Sequence, residues 1–145
     1  AGRFLKEQNP NIKVLGVDAA TSYRSTSGNP KPYKLEGIGV DFDAPLVRQS
    51  LLDECLVVDD AGSISMLQEL AFREGLLVGP SSGAVAYAVK SYLSNLSKSD
   101  VVVMIFGDSG RAYLSKNFYY TTTEPEHEGE WIHNYRPKSD IVSLS

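Results

Sequence analysis

Two short segments set hydroxyls and a carboxylate among glycines in a way that chemistry uses. Gly79-Pro80-Ser81-Ser82-Gly83 follows the apolar run Leu76-Leu77-Val78, and Gly107-Asp108-Ser109-Gly110 follows the apolar run from Val101 to Phe106. If each run is a strand and each glycine segment opens a helix, Ser81, Ser82, Asp108 and Ser109 stand where open α/β sheets bind ligands. Free backbone N–H groups and the helix dipole face outward there. A third segment, Glu36-Gly37-Ile38-Gly39, lacks a side chain at two positions and admits a close approach. The plainest reading is structural: Ser82 and Asp108 cap helices, and the glycines permit tight turns.

A sharper reading is nucleophilic. Gly79-Pro80-Ser81-Ser82-Gly83 matches Gly-x-Ser-x-Gly, the elbow of serine hydrolases, which requires a strand before the Ser and a helix after it. Asp108 with His127 or His133 would complete a triad in chain order. Against this, no glycine cluster upstream could form an oxyanion hole, and both histidines lie among Glu126, Glu128 and Glu130. Gly107-Asp108-Ser109-Gly110 is similar to a trypsin-like nucleophile loop, but no β-barrel pattern is present to hold it. The histidines and glutamates match no standard metal spacing. They read as a solvated acidic segment, and no metal site is expected.

The elements that must position these residues follow from local pattern. Ala1 to Gln8 is predicted as a helix, with Phe4 and Leu5 on one side and Arg3, Lys6 and Glu7 on the other, stopped by Asn9-Pro10. It has neither a capping residue nor an initiator Met before it, so the chain reads as a piece of something longer. Val14 to Val17 is a strand ending at Asp18, and Ser22 to Lys31 is a loop. Pro45 to Leu52 is expected as a short helix and Leu56 to Val58 as a strand. Asp60 is expected to cap a helix ending at Gly75, with Ile64, Leu67, Leu70 and Ala71 at helical spacing. Leu76 to Val78 is a minimal strand. The helix after Gly83 carries Val85, Ala88, Val89, Tyr92 and Leu96 on one stripe. Val101 to Phe106 is a strand, and Arg111 to Asn117 the last helix. Such alternation predicts an α/β fold with layered helices on a mostly parallel sheet.

The 145 residues are 42% hydrophobic, 10% aromatic and 22% charged, an ordinary globular composition. A chain of this length buries roughly 68–70% of its unfolded surface, enough for one core. No apolar stretch is long enough for a membrane span, and no signal peptide is visible. The lone Cys55 excludes an internal disulfide and fits a reducing compartment, hence a cytoplasmic expectation. The formal charge is −4, and residues 119–145 hold five acidic and two basic side chains. The body is nearly neutral. Without a basic stripe no nucleic-acid partner is expected, nor a membrane.

Five segments in order are similar to the pyridoxal-phosphate-dependent cysteine synthase and cystathionine β-synthase family. They are Leu5-Lys6-Glu7-Gln8-Asn9-Pro10, Gly16-Val17-Asp18, the run from Lys34 to Phe42, the run from Glu74 to Ala84, and the run from Asp108 to Lys116. The resemblance implies a fold-type-II enzyme. Residues 1–118 would be the carboxyl-terminal portion of its catalytic core and residues 119–145 an irregular acidic tail. It implies pyridoxal 5'-phosphate as cofactor, with Ser81 bonded to the pyridine nitrogen, the Gly37, Ile38 and Gly39 loop against cofactor and substrate, and Asp108 and Ser109 near the ring. It implies β-replacement on serine or an activated serine, with a sulfide or thiol acceptor, in a homo-oligomer. Glu36 to Phe42 leans towards the cystathionine side.

Two departures stand out: Gly107 where a Pro is common, and Pro80 where a small or aliphatic residue is usual. None of the eight lysines sits in the context of the family's Schiff-base Lys, and the phosphate loop is absent too. No catalytic residue is therefore assigned in this chain. Alone it is expected to be inactive and to need the remainder of the core. The rival class is a non-catalytic α/β anion-binding module.

Overall fold

The computed structural model describes residues 1–45 and 48–120. It opens with α1 (Gly2–Gln8), which ends at Asn9 in an extended conformation, the one that the following Pro10 favours. β1 (Leu15–Ala19) and β2 (Glu54–Val58) pair in parallel, Leu15 opposite Glu54 and Ala19 opposite Val58. Their short apolar runs suit strands with covered faces. The crossover between them, residues 20–53, contains no α-helix among the described residues.

α2 (Asp60–Glu74) starts at Asp59, whose carboxylate accepts the Gly62 N–H at 2.8 Å, and ends at Gly75 with φ 67°. The cap thus lies one residue before the expected Asp60. Asp60 instead accepts the N–H of Lys34 at 2.7 Å and ties the crossover to the helix start. α3 (Pro80–Tyr92) begins at Gly79 without a side-chain cap, so Ser82 does not cap it. Pro80 sits in the first turn, where a missing N–H is harmless.

α3 lies against the two strands, and α2 packs on α3. The helices close on Gly83. A Cβ there would stand 2.6 Å from the Ser63 carbonyl oxygen and 2.7 Å from Leu67 Cβ. One apolar cluster, Leu35, Val58, Ala84 and Ala88, joins α3 to β2 and the crossover. A second, Leu67, Tyr113, Phe118 and Tyr119, joins α2 to the carboxyl-terminal segment, and Ile64 packs against both. The architecture is α/β, with helices layered on a parallel pair of strands.

Several elements differ from expectation. Residues 101–106 form no strand; Val101 is 90% exposed and Ile105 75%. A strand is completed by a neighbour's N–H and C=O groups, and residues 101–106 pair with no segment among the described residues. Leu76 to Val78 is likewise no strand, Val78 making a single antiparallel bridge with Ser109. The helix expected over Pro45 to Leu52 is a 3-10 turn at Gln49–Leu51, with Leu46 and Val47 outside the described residues. The helix expected from Arg111 is a 3-10 turn at Gly110–Tyr113. α1 buries none of its residues, and Phe4 is 62% exposed. Among the described residues no helix is long and apolar enough to cross a membrane.

The Gly83 contact yields a measurable expectation. Gly83→Ala must push backbone and a Cβ of α2 away, since neither can rotate aside. Overpacking of this kind costs about 1–3 kcal/mol. Denaturant unfolding should show a lower midpoint with an unchanged slope. An unchanged midpoint would mean that the helices are not in this contact.

Candidate functional site

An open cleft of about 1030 Å³ runs along β1, the wall of α3 and residues 101–107. Of the residues expected on one stripe, Val85, Val89 and Leu96 line this cleft, whereas Ala88 is buried, as is Ala84 beside the stripe.

Ser81, the second residue of α3, is half-buried on the cleft wall. Gly37 comes up against it. A Cβ at Gly37 would lie 3.3 Å from Ser81 Cβ and 3.4 Å from its Oγ. Gly37 and Gly39 have φ of 86° and 72°, the left-handed region in which glycine is at ease. A Cβ at Gly39 would fall 2.9 Å from the Tyr33 ring and 3.1 Å from Ala19 Cβ. The turn is therefore pressed between Tyr33, Ala19 and α3, and no side chain of Gly37 covers the Ser81 hydroxyl.

The structure thus brings Gly37, Ile38, Gly39 and Ser81 to one cleft wall. It does not bring Asp108 and Ser109 there. The Asp108 carboxylate occupies the place where a Cβ of Gly79 would be, and it accepts the Tyr113 hydroxyl at 2.5 Å. Ser109 caps the 3-10 turn, accepting the Arg111 N–H at 3.3 Å. The cap expected of Asp108 thus falls to Ser109.

Four features escaped the sequence. Ser82 is fully buried, and its hydroxyl has no partner among the described residues, a state that costs about 1–3 kcal/mol. Asp18 is buried on the cleft side of β1 and accepts from Ser22 Oγ at 2.5 Å, Ser25 Oγ at 3.0 Å and the Ala19 N–H at 3.0 Å. Lys116 pairs with Glu36, the residue before Gly37. Tyr113 links these two regions, since the Lys116 ammonium lies 5.9 Å from its ring centroid. The hydrogen bond to Asp108, then burial, pushes the Tyr113 phenol up to about 12. Only the Ser22 and Ser25 spacing after Asp18 offered a signal, as a local Asp–Ser turn.

The site presents the neutral Ser81 hydroxyl, at the start of α3, to the cleft. It does not form a nucleophile elbow. Ser81 lies within a helix rather than on a turn after a strand, and Asp108 bonds a tyrosine. His127 and His133 fall outside the described residues. Among those described, no three His, Cys, Asp or Glu side chains are grouped to hold a metal. Burial raises the Cys55 thiol above its ordinary value, which does not activate it.

Residues 1–108 match the family described as "Pyridoxal-phosphate dependent enzyme". The chain is 38% identical over 116 residues to the O-acetylserine dependent cystathionine beta-synthase of Bacillus subtilis, covering 80% of this chain and 38% of that protein. It is 38% identical over 117 residues to a cysteine synthase of Helicobacter pylori, covering 81% of this chain and 38% of that one. The crystal structure of the O-acetylserine dependent cystathionine beta-synthase from Helicobacter pylori superposes with a TM-score of 0.75 at 37% identity, covering 82% of this chain and 39% of that one. The chain therefore spans about two fifths of the length of these relatives.

The Tyr113 phenol sets an alkaline limit. A phenol whose proton is held more tightly in the folded state adds stability that is complete below about pH 10 and lost as pH rises towards 12. Tyr113→Phe should flatten the fall in stability across that window in pH-dependent unfolding. An equally steep fall would show that other groups cause it.

Proposed function

The chain belongs to the pyridoxal-phosphate dependent enzymes, and on that premise we propose that residues 1–118 are the carboxyl-terminal portion of a catalytic core. The enzyme would replace the β-substituent of serine or an activated serine with sulfide or a thiol. Cysteine or cystathionine would be the product. The observation that carries this is the Ser81 hydroxyl on the cleft wall, left uncovered because residue 37 is glycine.

The residues present fit the cofactor. Bound pyridoxal phosphate supplies an electron sink for bonds at the amino-acid Cα and Cβ. Ser81 would bond the pyridine nitrogen as a neutral group. A hydroxyl does not keep a proton on that nitrogen as a carboxylate would, so the ring stays a milder sink, which suits β-replacement better than transamination. Gly37, Ile38 and Gly39 would form the wall that lets the ring edge and substrate approach. Asp108 would support this wall from behind Gly79, and Ser109 would hold the turn that carries Asp108. The names of the relatives include both cysteine synthase and cystathionine beta-synthase, and the run from Glu36 to Phe42 favours the latter. The lone, half-buried Cys55 agrees with work in a reducing cytoplasm.

Two experiments test the reading. In the enzyme that carries this chain, Ser81→Ala should slow the β-reaction by the loss of one buried hydrogen bond, about 1–3 kcal/mol, with the cofactor still covalently held. Ser81→Asp should divert reactivity away from β-replacement. Unaltered kinetics in both would refute the assignment of Ser81 to the pyridine nitrogen.

The 145-residue chain by itself should gain no stoichiometric lysine adduct when mixed with pyridoxal phosphate and reduced with borohydride. Lys6, Lys90 and Lys116 are paired with carboxylates, and Lys13, which lines the cleft, is exposed. Peptide mapping that located a single fully labelled lysine would refute this.

A further inference from the structure

The turn from Glu36 to Gly39 is built on two left-handed glycines, the residue type with the most backbone freedom. Its flanks are held. The Lys34 N–H donates to Asp60, Leu35 is buried, and the Val40 carbonyl accepts the Tyr23 N–H at 2.8 Å. Between those anchors stands Glu36, and Lys116 meets it from eighty residues away. Lys116 rests over the Tyr113 ring, within cation–π reach. Tyr113 is itself fixed by its hydrogen bond to Asp108 and by an edge contact with Phe118 at 6.1 Å between centroids. Asp108 in turn packs on Gly79, two residues before Ser81.

Both ends of this relay arrive at Ser81, one through Gly79 and the other through Gly37. We propose that Lys116 is a positioning residue: by gripping Glu36 from the Tyr113 post, it sets the gap between Gly37 and Ser81. Lys116 and Glu36 are nearly half exposed, 45% and 49%. Such a pair adds little to global stability, so its effect is local to the turn. The inference rests on the reading of Ser81 and the turn as a cofactor wall, but the grip itself can be measured without the cofactor.

The test uses the full enzyme that carries this chain. Amide hydrogen exchange at residues 37–39 is followed, without added pyridoxal phosphate, in Lys116→Glu, Glu36→Lys and the double reversal. Each single reversal should speed exchange about 2- to 5-fold, with the double returning to the parent rate and all three keeping the parent Tm. Unchanged exchange in both single reversals, or no recovery in the double, overturns the proposal. If a reversal lowers Tm, Lys116→Met and Glu36→Gln replace it, with faster exchange again the expected result. With pyridoxal phosphate added, the emission of the bound cofactor should shift in the single variants and recover in the double. Altered exchange with unaltered emission would overturn the positioning role, and would leave the Ser81 assignment to its own variants.

Discussion

How near α3 comes to α2 decides where everything else in the site can be. Gly83 lies flush on the Ser63 carbonyl and Leu67, closer than any side chain allows. Gly62 makes the same concession on the other helix, where the Tyr87 ring fills the space of a Cβ. Each helical residue turns about 100° from the last. Burying Gly83 against α2 therefore turns Ser81, two positions earlier, about 200° away and onto the cleft wall. It also draws Ser82 into the interior, where its hydroxyl finds no partner among the described residues. The exposed serine and the stranded one follow from a single contact.

Local pattern carried much of the fold. α1, α2 and the two paired strands were legible because each is announced by a short-range signal: a stop at Asn9-Pro10, a left-handed Gly75, two apolar runs. α3 was expected only after Gly83, whereas it begins at Pro80. The cap of α2 missed by one residue because Asp59 and Asp60 are chemically equal candidates, and only the path of the chain chooses between them. Residues 101–106 misled for the opposite reason. An apolar run states what a strand needs, but a ladder is made by two segments, and the second is not written in the first. The stripe on α3 was right in part: Ala88 and Tyr92 are buried, but Val85 and Val89 face the cleft, and Ala84, outside the stripe, is buried instead.

The candidate site divides along the same line. Ser81 and the glycines of residues 37–39 were recognisable as turn chemistry, and the fold brings them together on one wall. Asp108 was recognisable too, but its partner was not. The five-residue step from Asp108 to Tyr113 belongs to no helical or strand period, and Glu36 and Lys116 are eighty residues apart. The contacts that hold a turn in place are long-range and invisible to periodicity. The residues that line it are short-range and conspicuous.

Pro80 has a consequence of its own. It has no N–H, and the N–H groups of Ser82 and Gly83 both return to the Gly79 carbonyl, at 3.0 and 3.4 Å. Ser81 alone in this first turn has an amide that neither the ring of a proline nor the Gly79 carbonyl takes up. Hydroxyl and amide are thus concentrated on one residue at the positive end of the helix dipole. The pyrrolidine also fixes φ at residue 80 before the chain folds, which removes disorder from the unfolded state, worth about 0.4–1 kcal/mol when the native backbone is compatible. Residue 80 therefore acts through entropy: it limits the freedom that the chain must surrender where Ser81 takes its place.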